Sequence, residues 1–168
     1  NRKEKRKPIV LNAMREHIMK KHNGIIWDNL EADDVMGIMA TEPALTEERI
    51  LVSIDKDMRT IPCNLSQDGT TIEQIPEKIA NYNFMIQTIM GDKTDGYDGI
   101  EGVGIKTAEK LIKKYTNVTL LDLWKIVKGI YKEKGYTHAE ALQQARVAHI
   151  LRHGEYNKKT GKVKLWTI

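Results

Sequence analysis

The sequence predicts an α/β protein in which a parallel sheet is followed by a largely helical C-terminal region. Two observations predict this class. The uninterrupted apolar run Ile50–Ile54 is typical of a strand buried in a parallel sheet. On both sides of this run, apolar residues recur with helical spacing. The predicted helices cover residues 9–21, 30–41, 76–90, 105–115, 120–134 and 137–152.

Shorter elements are predicted from local signals. The helix that begins at Pro76 would end just before Asp92, where the helix dipole disfavours acids, so we expect a cation close to that end. No linker rich in proline or glycine divides the chain into two independent domains. The short elements are candidate strands at Gly24–Trp27, Cys63–Leu65 and Val163–Ile168, and a turn at Asp68–Gly69.

The net charge of +4 is distributed unevenly. Residues 1–27 carry eight basic and two acidic side chains. Residues 28–101 carry five basic and sixteen acidic side chains, and residues 102–168 carry fourteen basic and five acidic side chains. This pattern predicts divalent cations on the acidic centre and a polyanion on the basic flanks, with ordinary solvated surface as the alternative.

Several features bear on the cellular location. No apolar run approaches the roughly twenty residues of a membrane span. The charged first residues do not form a signal peptide. A single cysteine excludes an internal disulfide and is typical of a reducing cytoplasm. The missing initiator Met predicts a processed or partial protein. We therefore expect a cytoplasmic protein without membrane contact.

Seven carboxylates in three short motifs are the candidate metal ligands. They offer hard oxygen donors, and no histidine or cysteine accompanies them at metal-ligand spacing, which points to Mg²⁺ or Mn²⁺ rather than zinc. Like charges at this density raise one another's pKa, so cations are expected among them. Two ions about 4 Å apart would position the attacking and leaving oxygens of a phosphodiester. The seven are Glu31, Asp33, Asp34, Asp55, Asp57, Asp92 and Asp95.

The first two motifs also have structural explanations. Glu31 and Asp34 lie three residues apart at the start of a predicted helix and share a face, and acids there favour the helix dipole. Asp55 and Asp57 follow the Ile50–Ile54 run, at the edge where open α/β sheets place their active sites, but they would also suit a solvated turn.

A turn with five glycines, from Gly91 to Gly104, joins the last two acids to the next predicted helix. Glycine permits positive φ and a close approach to a ligand. Lys106 and Thr107 stand in the first turn of the helix that follows, where free N–H groups and the dipole favour a phosphate. We expect this turn and helix start to bind a phosphate, and the residues concerned are Gly102, Gly104, Lys106 and Thr107.

The N-terminal run Asn1–Pro8 is strongly basic. In this chain it is expected to be an arm that contacts phosphates, although such runs are also found as solvated tails. Its candidate phosphate contacts are Arg2, Lys3, Lys5 and Arg6.

The three acidic blocks, in their order along the chain, resemble the flap endonuclease / 5′→3′ exonuclease family. They read E-A-D-D-V-M-G at 31–37, S-I-D-K-D at 53–57, and G-D-K-T-D-G followed by G-I-E-G-V-G-I-K-T-A within 91–108. The similarity is greatest to the 5′→3′ exonucleases of short-tailed phages and covers nearly the whole chain.

The resemblance implies the C-terminal part of a parallel-sheet, PIN-like 5′-nuclease domain, followed by a helix–three-turn–helix and further helices. Residues 1–22 would form the basic end of a helical arch and the next helix. Residues 23–90 would belong to the α/β catalytic core, and 91–168 to the helix–three-turn–helix and C-terminal helices. The implied reaction is hydrolysis of DNA from 5′ ends or at flaps, and of RNA in hybrids, by metal-activated water. All seven acids would be catalytic metal ligands, directly or through water, and the glycine turn would hold K⁺.

One departure from the family pattern affects the expected activity. Family members begin with a strand that carries further aspartates and with an arch, whereas this chain begins within the arch, of which Arg2 would remain. The resemblance therefore implies a complementing N-terminal polypeptide, or a fragment of impaired activity. The alternative function is a non-catalytic DNA-binding fragment. A phage-encoded protein would act in the host cytoplasm.

Overall fold

A small sheet, a hairpin and six α-helices make up the computed structural model, which describes residues 8–43 and 48–168. No helix within these residues is both long and apolar enough to cross a bilayer. The helices are α1 (Leu11–Lys21), α2 (Ala32–Ala40), α3 (Glu77–Met90), α4 (Ile105–Ile112), α5 (Leu120–Glu133) and α6 (His138–Ala148). The strands are β1 (Ile50–Val52), β2 (Cys63–Ser66), β3 (Glu73–Ile75), β4 (Tyr156–Asn157) and β5 (Lys162–Val163), and short 3₁₀ helices span Lys56–Thr60 and Lys113–Tyr115.

The sheet confirms a mixed α/β class with a parallel strand pair. β1 runs parallel to β2, with Leu51 opposite Leu65, and β2 is antiparallel to β3. The prediction of a uniformly buried strand was wrong: Leu51 is buried, whereas Ile50 and Val52 are 44% and 62% exposed. Ile50 and Val52 share one face of the sheet, and no layer of the described residues covers that face at β1.

Helix α3 lies at the centre of the C-terminal core and contacts the Lys56–Thr60 helix, α4, α5 and α6. It begins after Pro76, as predicted, because proline fits a helix start and lacks the N–H that would be unpaired there. In its C-terminal half even Thr88 is buried, and the Tyr131 hydroxyl donates to the Thr88 carbonyl. This packing holds the end of α3, and thus the acids that follow it, in a defined place.

Helices α5 and α6 start at side-chain caps. Thr119 accepts the N–H of Asp122, and Thr137 forms a reciprocal capping box with Glu140. The predicted strand Val163–Ile168 is mostly wrong, because only Lys162–Val163 pairs, with β4. Beyond it the chain turns inward, where Trp166 packs edge-on against core aromatic rings.

Helix α1 forms where its spacing predicts, but none of its residues is buried. The apolar side chains of Met14 and Ile18 are exposed. The predicted strand Gly24–Trp27 is absent. Asn23 adopts positive φ, and the Gly24 N–H donates to the Ile18 carbonyl, so the chain turns at the end of α1 instead of extending.

Candidate metal centre

Asp55 and Asp57 are positioned by the turn that follows β1. Asp55 is the N-cap of the Lys56–Thr60 helix, and its carboxylate accepts the Asp57 N–H at 2.9 Å. The Gln87 side-chain amide, on α3, donates to Oδ1 of Asp57. These contacts hold the Asp57 carboxylate between the sheet edge and the C-terminal half of α3.

The turn after α3 brings Asp92 and Asp95 together. The Asp92 N–H donates to the Tyr97 carbonyl at 2.8 Å, and the Tyr97 N–H donates back at 3.1 Å. Two glycines close this loop at its base. A Cβ on Gly91 would lie 2.5 Å from the Gly99 nitrogen, and both residues have positive φ. Only glycine permits this crossing of the two backbones.

Three of the predicted ligands share one small volume. One carboxylate oxygen each from Asp57, Asp92 and Asp95 lie within 4.8 Å of one another. A Mg²⁺ ion with ligands at about 2.1 Å spaces its oxygen ligands roughly 3–4 Å apart, so small side-chain rotations would suffice to hold one. The donor set and the spacing fit a divalent cation.

The acids of α2 lie in the same cleft. Its volume is about 540 Å³, and Glu31, Asp33 and Asp34 line it together with Asp57 and Asp95. Glu31 is the N-cap of α2, but its side chain makes no capping hydrogen bond, so capping does not explain that carboxylate. Asp34 has a structural contact as well: its Oδ1 accepts the Leu151 N–H at 3.0 Å.

Burial, and next the mutual repulsion of these acids, raise the pKa values of two of them. Burial, and next the charge of Asp55, raise the pKa of Asp57 to about 6. Burial also raises the pKa of Asp33, with further contributions from Asp55 and Glu31. Without cations the cleft therefore carries a charge that is costly at neutral pH.

One basic side chain partly offsets this charge. Lys56 Nζ lies 2.9 Å from Oδ2 of Asp92, and this hydrogen bond is the main reason that the pKa of Asp92 is lowered. A cation was predicted near the end of α3, but Lys56 itself was not identified. Gln87 and the buried Tyr97, which lines the cleft, were also missed. The available signal was a glutamine one turn before Gly91, in the largely apolar C-terminal half of α3.

Replacing Asp57 with Asn is expected to stabilise the metal-free protein at neutral pH. An acid whose pKa is raised in the folded state costs stability increasingly as the pH rises from about 4 to about 6. Asparagine keeps an oxygen for Gln87 and removes the charge. We expect a gain of about 1–2 kcal/mol at pH 7.5, after allowance for solvent screening, and none at pH 4.

Thermal unfolding in EDTA at both pH values measures this effect. Adding Mg²⁺ at pH 7.5 should stabilise the wild type more than Asp57→Asn, which lacks one of the three clustered carboxylates. Equal stability of the two proteins in EDTA at pH 7.5 would contradict the raised pKa of Asp57.

The expected nucleic-acid contacts fall into two groups. Arg2, Lys3, Lys5 and Arg6 lie outside the described residues. The second group is exposed at the start of α4 and comprises Gly102, Gly104, Lys106 and Thr107. Gly104 is the N-cap of α4, and no side chain caps this helix. Gly102 and Gly104 also line a second cleft of about 680 Å³, together with Lys93, Tyr136 and Gln144.

The acidic cleft fits a divalent cation, and the same chain presents a helix N-terminus without a side-chain cap at α4. Metal-dependent nucleases use this combination of sites. The chain is 32% identical over 200 aligned positions to the exodeoxyribonuclease of Enterobacteria phage T3 and to the exonuclease of Escherichia phage T7. Each alignment covers 99% of this chain and 66% of the relative.

Bacterial proteins are similar too. Flap endonuclease Xni of Shewanella baltica (strain OS223) is 27% identical over 90% of this chain and 63% of its own length. No family model matches the chain. On the similarity to the phage exonucleases, the chain belongs to the flap endonuclease / 5′→3′ exonuclease family. It spans just under two thirds of the length of these curated relatives.

Proposed function

We propose that this chain carries the metal-binding acids and the DNA-binding surface of a 5′→3′ exonuclease or flap endonuclease. The observation that carries the proposal is the cluster of Asp57, Asp92 and Asp95, whose carboxylate oxygens lie within 4.8 Å of one another. The phage relatives' names, exodeoxyribonuclease and exonuclease, support a reaction on DNA. The substrates proposed are DNA with 5′ ends or flaps, and RNA in RNA–DNA hybrids.

The seven acids would hold Mg²⁺ or Mn²⁺ at two or more sites. Asp57, Asp92 and Asp95 would form one, and Glu31, Asp33, Asp34 and Asp55 the other, directly or through water. Bound ions would supply a nucleophilic water at neutral pH and offset the charge on the phosphate. Gln87 orients the Asp57 carboxylate, and Lys56 holds Asp92 in place.

The start of α4 would grip the sugar–phosphate backbone. Helix geometry leaves its first N–H groups without acceptors in the helix, and Lys106 adds a positive charge beside them. In this proposal α3, the glycine turn and α4 act as the family's helix–three-turn–helix, with K⁺ in the turn. Residues 1–22 would act as the basic end of the arch and the next helix, and Arg2 would contact the nucleic acid there. Residues 23–90 would act as part of the α/β catalytic core, and residues 91–168 as the helix–three-turn–helix and the C-terminal helical region.

A strand from a second polypeptide is proposed to complete the sheet beside β1. Among residues 8–43 and 48–168 no strand borders β1 on the side away from β2, and Ile50 and Val52 leave apolar surface exposed there. Cleavage that increases when such a polypeptide is added would support this. The relatives from phages T3 and T7 support a place in the host cytoplasm.

Incubation of the purified chain with a 5′-labelled duplex and Mg²⁺ tests the function. Release of labelled nucleotides, absent in EDTA, supports the nuclease. Binding without cleavage, even with added complementing polypeptide, would favour the non-catalytic DNA-binding fragment.

Lys106→Ala is expected to weaken duplex binding without changing sequence preference. A lost phosphate contact lowers the slope of log affinity against log salt concentration by about one. Lys125→Ala is the matched control, because Lys125 is an exposed lysine already paired with Asp122 at 2.9 Å. Titrations at several salt concentrations measure both variants. A loss for Lys106→Ala that is confined to particular sequences would contradict a backbone contact.

A further inference from the structure

A third groove, distinct from the acidic cleft and from the cleft at the start of α4, lies between α2 and the β4–β5 hairpin. Its volume is about 600 Å³, and its lining is largely apolar and aromatic rather than acidic. The side chains that matter here are Ile25, Trp27, Met39, His153, Tyr156 and Lys158.

Two aromatic rings of this groove are stacked, and a lysine lies against one of them. The rings of Trp27 and Tyr156 are nearly parallel, at 18°, with centroids 5.9 Å apart. Lys158 Nζ lies 3.7 Å from the centroid of Trp27. The Tyr156 hydroxyl donates to the Asp28 carbonyl at 3.0 Å, which fixes the orientation of that ring. We call Trp27, Tyr156 and Lys158 the aromatic platform.

The platform differs from the aromatic residues of the core. Trp124 and Trp166 are 1% and 6% exposed, whereas Trp27 and Tyr156 are partly exposed at the surface. Among residues 8–43 and 48–168, the one carboxylate that lines the groove belongs to Glu42, whose Oε2 lies 2.7 Å from Nδ1 of His153.

The hairpin that carries Tyr156 is strongly basic, with exposed lysines in its turn, on β5 and directly after β5. Aromatic faces next to several lysines complement the bases and phosphates of a nucleic acid, since each base offers a flat face and each phosphate a negative charge. The hairpin lysines are Lys158, Lys159, Lys162 and Lys164.

The platform is also continuous with the acidic cleft. Asn29 and Leu30, which closely follow Trp27 in the chain, line that cleft, and so does Val163, which pairs with Tyr156. A nucleic-acid strand that leaves the acidic cleft along this hairpin would therefore pass over the aromatic platform.

We propose that the aromatic platform stacks an unpaired base of a single-stranded segment of the nucleic-acid substrate, with the hairpin lysines on its phosphates. This rests on the proposed nuclease function and extends it. The base must be unpaired, because in a duplex each base face is covered by its neighbours. A fully paired duplex should therefore gain little from the platform.

Tryptophan fluorescence tests the platform, because the other two tryptophans are buried. In EDTA, without cleavage, oligothymidylate should quench the emission of the wild type, and Trp27→Leu should lose this change. Trp27→Leu and Tyr156→Leu should each bind oligothymidylate roughly five- to a hundred-fold more weakly, the range measured for base stacking on aromatic side chains. Blunt duplex binding should stay within about twofold, and thermal unfolding verifies that the variants fold.

Two outcomes would overturn the proposal for the platform. One is that oligothymidylate binds without changing the tryptophan fluorescence. The other is that both variants lose equal affinity for the single strand and for the duplex. The result is separable from the nuclease proposal. A protein that cleaves DNA but shows no Trp27-dependent quenching overturns the platform alone. Quenching without any Mg²⁺-dependent cleavage, even with a complementing polypeptide, overturns the nuclease alone.

Discussion

Replacing Asp92 with Asn is expected to reduce Mg²⁺-dependent cleavage by two orders of magnitude or more, as a rough estimate from other metal sites. Asp92 supplies one of the three oxygens of the cluster. Its Oδ1 accepts the Thr94 N–H at 2.8 Å, and asparagine keeps that acceptor, so the loop should fold normally. DNA affinity in EDTA should not fall, because the change removes a negative charge.

Asp98→Asn is the matched control. Asp98 is an exposed acid of the same glycine turn and does not belong to the cluster of three carboxylates. Nucleotide release from a 5′-labelled duplex measures cleavage, and calorimetric titration with Mn²⁺ measures the metal site even if the chain alone cleaves poorly. Wild-type cleavage by Asp92→Asn would refute the metal assignment.

Gly99→Ala is expected to destabilise the fold by more than about 3 kcal/mol. A Cβ at this position would lie 2.6 Å from the Ile89 carbonyl oxygen and would overlap the backbone of Gly91, and φ is +62°. Backbone atoms cannot rotate away as a flexible side chain can. The crossing at the base of the turn would open, and Asp92 would leave the metal cluster.

Gly96→Ala separates this overlap from conformational strain alone. Gly96 also has positive φ, +83°, but nothing lies within 4 Å of a Cβ built there. It should cost only about 1–2 kcal/mol, the penalty of a left-handed conformation for alanine. Urea unfolding of both variants, with Mn²⁺ titration of the folded ones, measures the difference. Similar losses for both would show that the turn does not depend on the crossing.

Local chemistry was sufficient to predict much of this protein. The helical spacing predicted where the six helices lie, and the apolar run before Asp55 predicted a strand with acids at its carboxyl end. Both signals are short-range, since they depend on backbone periodicity and on the identity of neighbouring residues. The family resemblance came from the same segments, because motifs such as E-A-D-D-V-M-G are contiguous in the chain.

The predictions failed where a residue's environment comes from distant parts of the chain. Burial of β1 depends on what covers the sheet, and Trp166 ended the predicted last strand because the aromatic core buries its ring.

By itself, the sequence determined the acids, the glycine turn and the helices, because these follow from residue type and spacing. Only the tertiary structure decided that Asp57 meets Asp92 and Asp95, that Lys56 and Gln87 hold them, and that Trp27 lies against Tyr156. Each of these contacts joins residues at least 30 positions apart in the chain, and packing between elements, not local preference, brings such residues together.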